Sequence, residues 1–253
     1  MRHMLVIGIG AGNPDYLTVQ AIKALNRTDV FFVVDKGQEK DGLAALRREI
    51  LSQHVIGKDY RVVEIEEPAR DRGSAAYRDA VEAWRSQRAD RYEAAIRDHL
   101  ADGECGALLV WGDPSLYDSS LAILDEILAR GALHLTTEVI PGISSVQALA
   151  AGHRVTLNRV GEAIQVTTGR KLRGGLPTDA ENVVVMLDAD CTFAQVTEAN
   201  VTIYWGAYVG TPDEILISGR LGDVAEEIQR VRAEARERHG WIMDTYLLRQ
   251  NDL

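Results

Sequence analysis

LLVWGDPSLY, residues 108–117, is the stretch whose reading decides the fold. Leu108, Leu109, Val110 and Trp111 form a short apolar run bounded by turn residues, which reads as a buried strand. Gly112-Asp113-Pro114 stops it, and SLAILDEILAR restarts the chain as a helix from about Ser119. In an α/β context such a strand places its loop at the carboxyl edge of a sheet, where open α/β folds bind small molecules. Gly112 lets a ligand approach the backbone, and Asp113 offers an acceptor to a hydroxyl or an amine. Gly, Asp and Pro are also ordinary turn formers, so a plain strand-ending turn reads from the same residues.

Toward the N-terminus, Met4–Ile9 reads as a first strand, with Gly8, Gly10 and Gly12 at alternate positions and Asn13-Pro14-Asp15 after them. A helix over 17–26 and a strand over 30–34, ending at Asp35-Lys36-Gly37, complete the opening of a parallel α/β sheet. A helix over 43–52, a strand over 62–65, a polar loop and a long amphipathic helix over 74–100 lead back to the central strand. Beyond it, Gly131 ends a helix. A strand over 136–140 stops at Pro141-Gly142, and Ile143-Ser144-Ser145 opens a further helix. Free N–H groups and hydroxyls at that tip suit a carboxylate or a polar ligand edge, or serve as a plain serine N-cap.

From His153 the texture changes. Strands are expected over 163–168, 183–187 and 201–205, with the basic, glycine-rich GRKLRGG (169–175) after the first. The turn Thr211-Pro212-Asp213 leads into a strand over 214–218 that follows too closely for a crossover, so its pairing is expected to be antiparallel. A charged helix over 221–239, with Gly240 after it, and a last strand over 243–248 close the chain. The expected architecture is α/β in two halves. The first is a mostly parallel five-stranded sheet assigned to 1–133, and the second is a mixed sheet assigned to 134–253.

The 253 residues suffice for one large domain or two, and 46% hydrophobic with 26% charged residues describes a globular chain with a substantial core. A formal charge of −10 argues against a general affinity for nucleic acid, which needs cationic surface. It leaves room for an anionic small substrate in a locally basic cleft. Cys105 and Cys191 form no CxxC and are expected as reduced thiols in a cytoplasmic chain. The opening MRHMLVIGIGAG is too short in apolar residues for a signal-peptide core, and no apolar run reaches membrane-spanning length. Neither a metal-spaced Cys/His cluster nor a Walker loop is present, so no metal is expected. Gly8-x-Gly10-x-Gly12 with Asp35 invites an NAD-dependent dehydrogenase reading. The fingerprint's third glycine would fall at position 13, which is Asn.

Four pieces taken together resemble a known family. VIGIGAGNPDYLT (6–18), VWGDPSLY (110–117), VIPGISSVQALAAG (139–152) and YVGTPDEILISGRLGD (208–223) resemble the tetrapyrrole (corrin/porphyrin) methylases, in the family's order and spacing. The resemblance implies homodimers of two α/β domains that use S-adenosylmethionine, held in a cleft between the domains. It puts the cofactor against Trp111, Gly112, Asp113 and Leu116, with Ser144 and Ser145 opposite. Met186 or Leu187, Ala207, Tyr208, Thr245 and Tyr246 come from the second domain. The family's usual Gly-Pro-Gly-Asp reads Gly10-Ala11-Gly12-Asn13 here, with Ala11 at the position that lies toward substrate.

Within the family, that loop, Asp35-Lys36-Gly37-Gln38 and the ending WIMDTY (241–246) look like the branch that methylates precorrin-5 at C1 with release of acetate. Such chemistry needs a base for water and a donor for a carbonyl oxygen. Asp35 at a strand end is the candidate base, or a turn cap. Tyr117 is the candidate donor, or a ring packed under the cofactor. The macrocycle carries many carboxylates, and Lys36, Lys40, Arg154, Arg159, Arg170, Lys171 and Arg173 fall on expected loops able to clamp them. GRKLRGG reads equally as a mobile surface loop. The rival of the same fold is a methyltransferase with another acceptor, such as another precorrin carbon, diphthamide or RNA, and the acidic charge disfavours RNA.

Overall fold

The run MLVIG forms the interior of strand β1 (Arg2–Gly8), which is buried from Met4 onward. In the structure, a computed structural model that describes residues 1–35, 41–68, 77–177 and 179–250, the chain divides into two compact units. Met1–Gly10 and Pro14–Ile143 make the first; Ala11–Asn13 and Ser144–Leu253 make the second.

In the first unit β1 is joined by β2 (Val30–Asp35), β3 (Arg61–Glu66), β4 (Cys105–Val110) and β5 (Leu135–Ile140) in the order β3-β2-β4-β1-β5. Every pairing is parallel. The helices α1 (Val19–Arg27), α2 (Asp41–His54), α3 (Tyr77–His99) and α4 (Ser120–Arg130) connect them. Alternate residues of β1 point to opposite faces. Met4 and Val6 join Phe32, Ile96 and Leu100 in one core, while Leu5 and Ile7 join Leu25, Phe31 and Ile50 in another. With both faces covered, the central strands have to be continuously apolar. Full burial of Phe31 and of Phe32 contributes roughly 1.5–3 kcal/mol each. Thr18 caps α1 by accepting the Ala21 N–H at 3.0 Å, so the helix starts two residues later than expected, after a single 3-10 turn at Pro14–Tyr16. Gly131, left-handed at φ 71°, ends α4 as the sequence indicated.

One expectation is corrected. A division at 133/134 puts β5 in the second half, yet β5 pairs with β1 along its length, from Arg2↔Leu135 to Ile7↔Ile140. The units therefore part after Ile143 rather than at 133/134. Gly131 marks the end of a helix, and a strand added at a sheet edge leaves no sign in local composition.

The second unit holds α5 (Ser145–His153), β6 (Ile164–Thr168), α6 (Gly169–Leu172), β7 (Asn182–Met186), β8 (Val201–Ala207), β9 (Ile215–Arg220), α7 (Leu221–His239) and β10 (Asp244–Gln250). Its sheet runs β6-β7-β10-β8-β9, parallel only between β6 and β7. The strand after the 211–213 turn pairs antiparallel with β8, as expected. GRKLRGG opens as one helical turn, α6, rather than as continuous loop. Trp205, Tyr246 and Phe193 fill the core, with Phe193 edge-on to Tyr246 at 5.3 Å. Arg232 and Asp244 form a buried ion pair at 2.9 Å, and Trp205 Nε1 donates to the same carboxylate at 3.0 Å. Cys105 and Cys191 are free thiols. Among the described residues no helix is long and apolar enough to cross a membrane.

Candidate active site

All strands of the first sheet run the same way, so their carboxyl ends share one edge. Three turns meet there. Ile9 N–H donates to the Val110 carbonyl at 2.9 Å, and Gly10 and Gly112 exchange backbone hydrogen bonds of 3.3 and 2.8 Å. The turn after β5 packs onto these two. A Cβ added at Gly142 would lie 2.0 Å from the Gly112 carbonyl oxygen and 2.8 Å from Gly8, so only glycine lets the three backbones touch.

Asp113 fastens the contact. One carboxylate oxygen accepts from the Ser115 N–H at 2.8 Å and from the Ser115 hydroxyl; the other accepts the Gly142 N–H at 2.8 Å. Partial burial would raise this carboxyl, but the donated hydrogen bonds outweigh it and hold it below the usual carboxylate range. The described partners of the Asp113 carboxylate are thus its own turn, through Ser115, and the turn after β5, through Gly142.

Trp111 and Leu116 are half-buried beside this turn. Tyr117 is 49% exposed and left-handed at φ 52°, a conformation costly for a bulky L-residue. It is held between the Leu116 turn, whose N–H donates to the Asp113 carbonyl, and Asp118, which accepts the Ser120 N–H at 2.7 Å. Burial pushes its phenol up, so the hydroxyl keeps its proton through neutral pH. Arg88 braces the start of α4 by donating to Ser119 Oγ at 2.5 Å while pairing with Glu67 at 2.8 Å. The β2–β4 pairing ends at Phe32↔Leu108, and Asp35, the last residue of β2, pairs with Glu66 of β3. The Asp35 side chain, Lys36 and Lys40 lie outside the described residues.

In the second unit the expected residues also gather at one sheet edge. Thr168↔Met186, Met186↔Thr245 and Thr245↔Gly206 lie in a row across four strands, with Ala207 opposite Asp244. Leu187, next after β7, is 67% exposed and left-handed at φ 55°. Tyr208, next after β8, is left-handed at φ 49° but buried. Its hydroxyl donates to the Trp241 carbonyl at 2.6 Å, and its ring stands edge-on to Trp241. Ser144 is buried as the α5 cap, accepting the Val146 N–H at 3.2 Å and closing a capping box with Gln147, whereas Ser145 is half-exposed.

Three expected ligand contacts turn out to be core side chains. Thr245 Oγ1 donates to the Val185 carbonyl at 3.0 Å, and Tyr246 is fully buried with its hydroxyl on Asp188 at 2.7 Å. Ala11 is 2% exposed, and its neighbour Gly12 packs against Thr211. β10 lies between β7 and β8 and is buried on both faces, so Thr245 and Tyr246, which point to opposite sides of the sheet, are both buried, and that pairing is invisible locally. Asp188 itself was missed, because an acid after a strand end has no sequence signal that separates it from a surface turn.

Arg170 and Lys171 are exposed on α6, and neither has an ion-pair partner among the described residues. Lys171 lines a cavity of about 340 Å³ with Gln165, Thr167, Leu172, Gly175 and Pro177. Arg173 and Arg159 are committed to Asp190 and Glu162. No cluster of three or more His, Cys, Asp or Glu able to hold a metal occurs among the described residues.

The family profile of the Tetrapyrrole (Corrin/Porphyrin) Methylases matches residues 3–225. The chain is 48% identical over 250 residues to the precorrin-6A synthase [deacetylating] of Sinorhizobium sp, covering 99% of this chain and 96% of that protein. Among solved structures it is similar to a cobalamin synthesis related protein (CobF) from Corynebacterium diphtheriae, with a TM-score of 0.85, 39% identity and full coverage of both chains. It shares its fold with the uroporphyrin-III C-methyltransferase of Thermus thermophilus complexed with S-adenosylhomocysteine, with a TM-score of 0.63, 17% identity, and 97% and 91% coverage. With a profile spanning most of its length and a relative of this identity from end to end, the chain belongs to the tetrapyrrole (corrin/porphyrin) methylases.

Proposed function

We propose that this chain is an S-adenosylmethionine-dependent C-methyltransferase that methylates precorrin-5 at C1 with release of acetate, giving precorrin-6A. The end-to-end likeness to the deacetylating synthase carries this reading. The residues fit the cofactor. A nucleoside needs apolar surface for its ring and polar groups for its ribose and amino-acid ends. In the first unit Trp111 and Leu116 offer the first and the turn backbone at Gly112 the second; in the second unit the outward-held Leu187 offers the first and Ser145 with the turn backbone at Ala207 the second. Asp113 contributes by joining the Gly112 turn to Gly142, Ser144 by capping the helix that begins at Ser145, and Thr245 and Tyr246 by holding Val185 and Asp188, which flank Met186 and Leu187.

When bound, S-adenosylmethionine supplies a methyl group already activated on a sulfonium, so the protein need not provide a strong nucleophile. Its own work is to orient the ring carbon, exclude bulk water and move protons. Asp35, at the carboxyl end of β2, accepts a proton from the water that adds to the acetyl carbonyl. Tyr117, protonated and exposed at the same sheet edge, donates a hydrogen bond to that carbonyl oxygen. The carbon–carbon bond then breaks, acetate leaves, and the electron pair stays on the ring carbon that is to be methylated. Arg170 and Lys171 on α6 hold peripheral carboxylates of the tetrapyrrole. The enzyme works as a cytoplasmic homodimer.

Incubation with methyl-labelled S-adenosylmethionine and a panel of precorrin intermediates tests this. Mass analysis is expected to show methyl gain together with acetyl loss on precorrin-5 alone. Methyl gain with the acetyl group retained, or on another intermediate, would overturn the assignment.

A further inference from the structure

Asp188 is 5% exposed, directly follows the exposed, left-handed Leu187, and has no role in the chemistry described so far. Four donors converge on its carboxylate. Oδ2 accepts the Tyr246 hydroxyl at 2.7 Å and the Thr192 N–H at 2.6 Å; Oδ1 accepts the Thr192 hydroxyl at 2.8 Å and the Asp190 N–H at 3.2 Å. Arg232 donates to the Asp188 main-chain carbonyl at 3.0 Å, fixing the backbone as well. On its other side the carboxylate fills the space beside Gly169, where an added Cβ would lie 2.3 Å from Oδ1. Gly169 is the first residue of α6, which carries Arg170 and Lys171.

We propose that Asp188 is a positioning residue, whose anchored carboxylate holds Leu187 in its left-handed conformation toward the cofactor and seats the start of α6 toward the tetrapyrrole. This rests on the cofactor assignment given under the proposed function. A left-handed leucine is disfavoured in a free chain and persists only where its surroundings over-determine it. Here the residue immediately after it is locked at five points. The lock requires a carboxylate. Each oxygen faces one backbone N–H, so either orientation of an asparagine amide would set its NH2 group against a donor.

The test is a double-mutant cycle of Asp188→Asn and Leu187→Gly, read by calorimetric titration with S-adenosylhomocysteine and by the KM for S-adenosylmethionine. Glycine adopts the left-handed region without help. D188N is expected to weaken binding about tenfold in the otherwise wild-type protein and less than about threefold in the L187G background. KM should rise by a similar factor while kcat changes less than about twofold, which is the signature of lost cofactor positioning. Tyr246→Phe, which removes one donor and keeps the ring, is expected to give a smaller loss of the same kind and serves if D188N does not fold. An equal loss in both backgrounds, or a lowered melting temperature with unchanged affinity, would overturn the proposal alone. Absence of S-adenosylhomocysteine binding by the wild-type protein would overturn the cofactor assignment and this inference with it.

Discussion

Asp113 and Gly142, 29 residues apart in sequence, are joined by a hydrogen bond of 2.8 Å from the glycine N–H to the aspartate carboxylate. The bond ties the turn after β4 to the turn after β5 at the carboxyl edge, where the proposed function puts the cofactor. Replacing Asp113 by Ala removes a charge-assisted hydrogen bond to partly buried backbone, a loss of about 1.5–3 kcal/mol of stability. Calorimetry is expected to show cofactor binding weakened by at least about tenfold as the turns separate. Unchanged affinity would remove Asp113 from the site's support.

The same carboxylate gives a pH dependence. Its folded value lies below the ordinary 3.8, so its stabilisation is complete above that value and is lost as pH falls through the folded value. Denaturant midpoints taken across the acid range should fall more steeply in the wild-type protein than in Asp113→Asn. Parallel curves would show that this ionisation does not contribute.

Gly142→Ala tests the close approach directly. The added methyl would meet the Gly112 carbonyl oxygen at 2.0 Å, and that atom is backbone, which does not rotate away. A loss of about 3 kcal/mol is expected, at the upper end for overpacking. Gly131→Ala, where nothing lies within 4 Å, is the comparison; its smaller cost comes only from the left-handed φ of 71°.

The order of strands and helices was largely legible, because each rests on local periodicity and a punctuating residue such as Gly131 or Thr211-Pro212-Asp213. The three turns that meet at the carboxyl edge of the first sheet were legible too, as glycine-containing strand ends. What stayed hidden was set by pairing across long distances. The place of β4 between β2 and β1, the attachment of β5 to the first sheet, and the burial of Thr245 and Tyr246 on the two faces of β10 all depend on partners far away in sequence. Asp188 was hidden for the same reason. Only its position beside Gly169 and Tyr246, 19 and 58 residues away, distinguishes it from a surface acid.

Arg170 and Lys171 carry exposed charges with no described ion-pair partner, the state expected of groups that await an anionic ligand. The double substitution to Ala is expected to weaken tetrapyrrole binding about tenfold or more, since each charged contact contributes on the order of 1 kcal/mol. S-adenosylhomocysteine affinity should stay unchanged. Spectroscopic titration that returned wild-type tetrapyrrole affinity would show α6 to be surface only.

Tyr117 separates chemistry from binding. Its side chain is half-exposed, its phenol is pushed up by partial burial, and it is set in a left-handed conformation that is costly for a bulky residue. Tyr117→Phe keeps the ring and the turn but removes the proton. If the hydroxyl supports the acetyl carbonyl oxygen, kcat should fall about 10²-fold with KM for both ligands nearly unchanged, as for loss of a single proton donor. Cofactor packing alone predicts the reverse: kcat retained, and at most a small rise in the KM for S-adenosylmethionine. Steady-state kinetics with acetate release as the readout distinguishes the two, because the hydroxyl acts on the bond whose cleavage frees acetate.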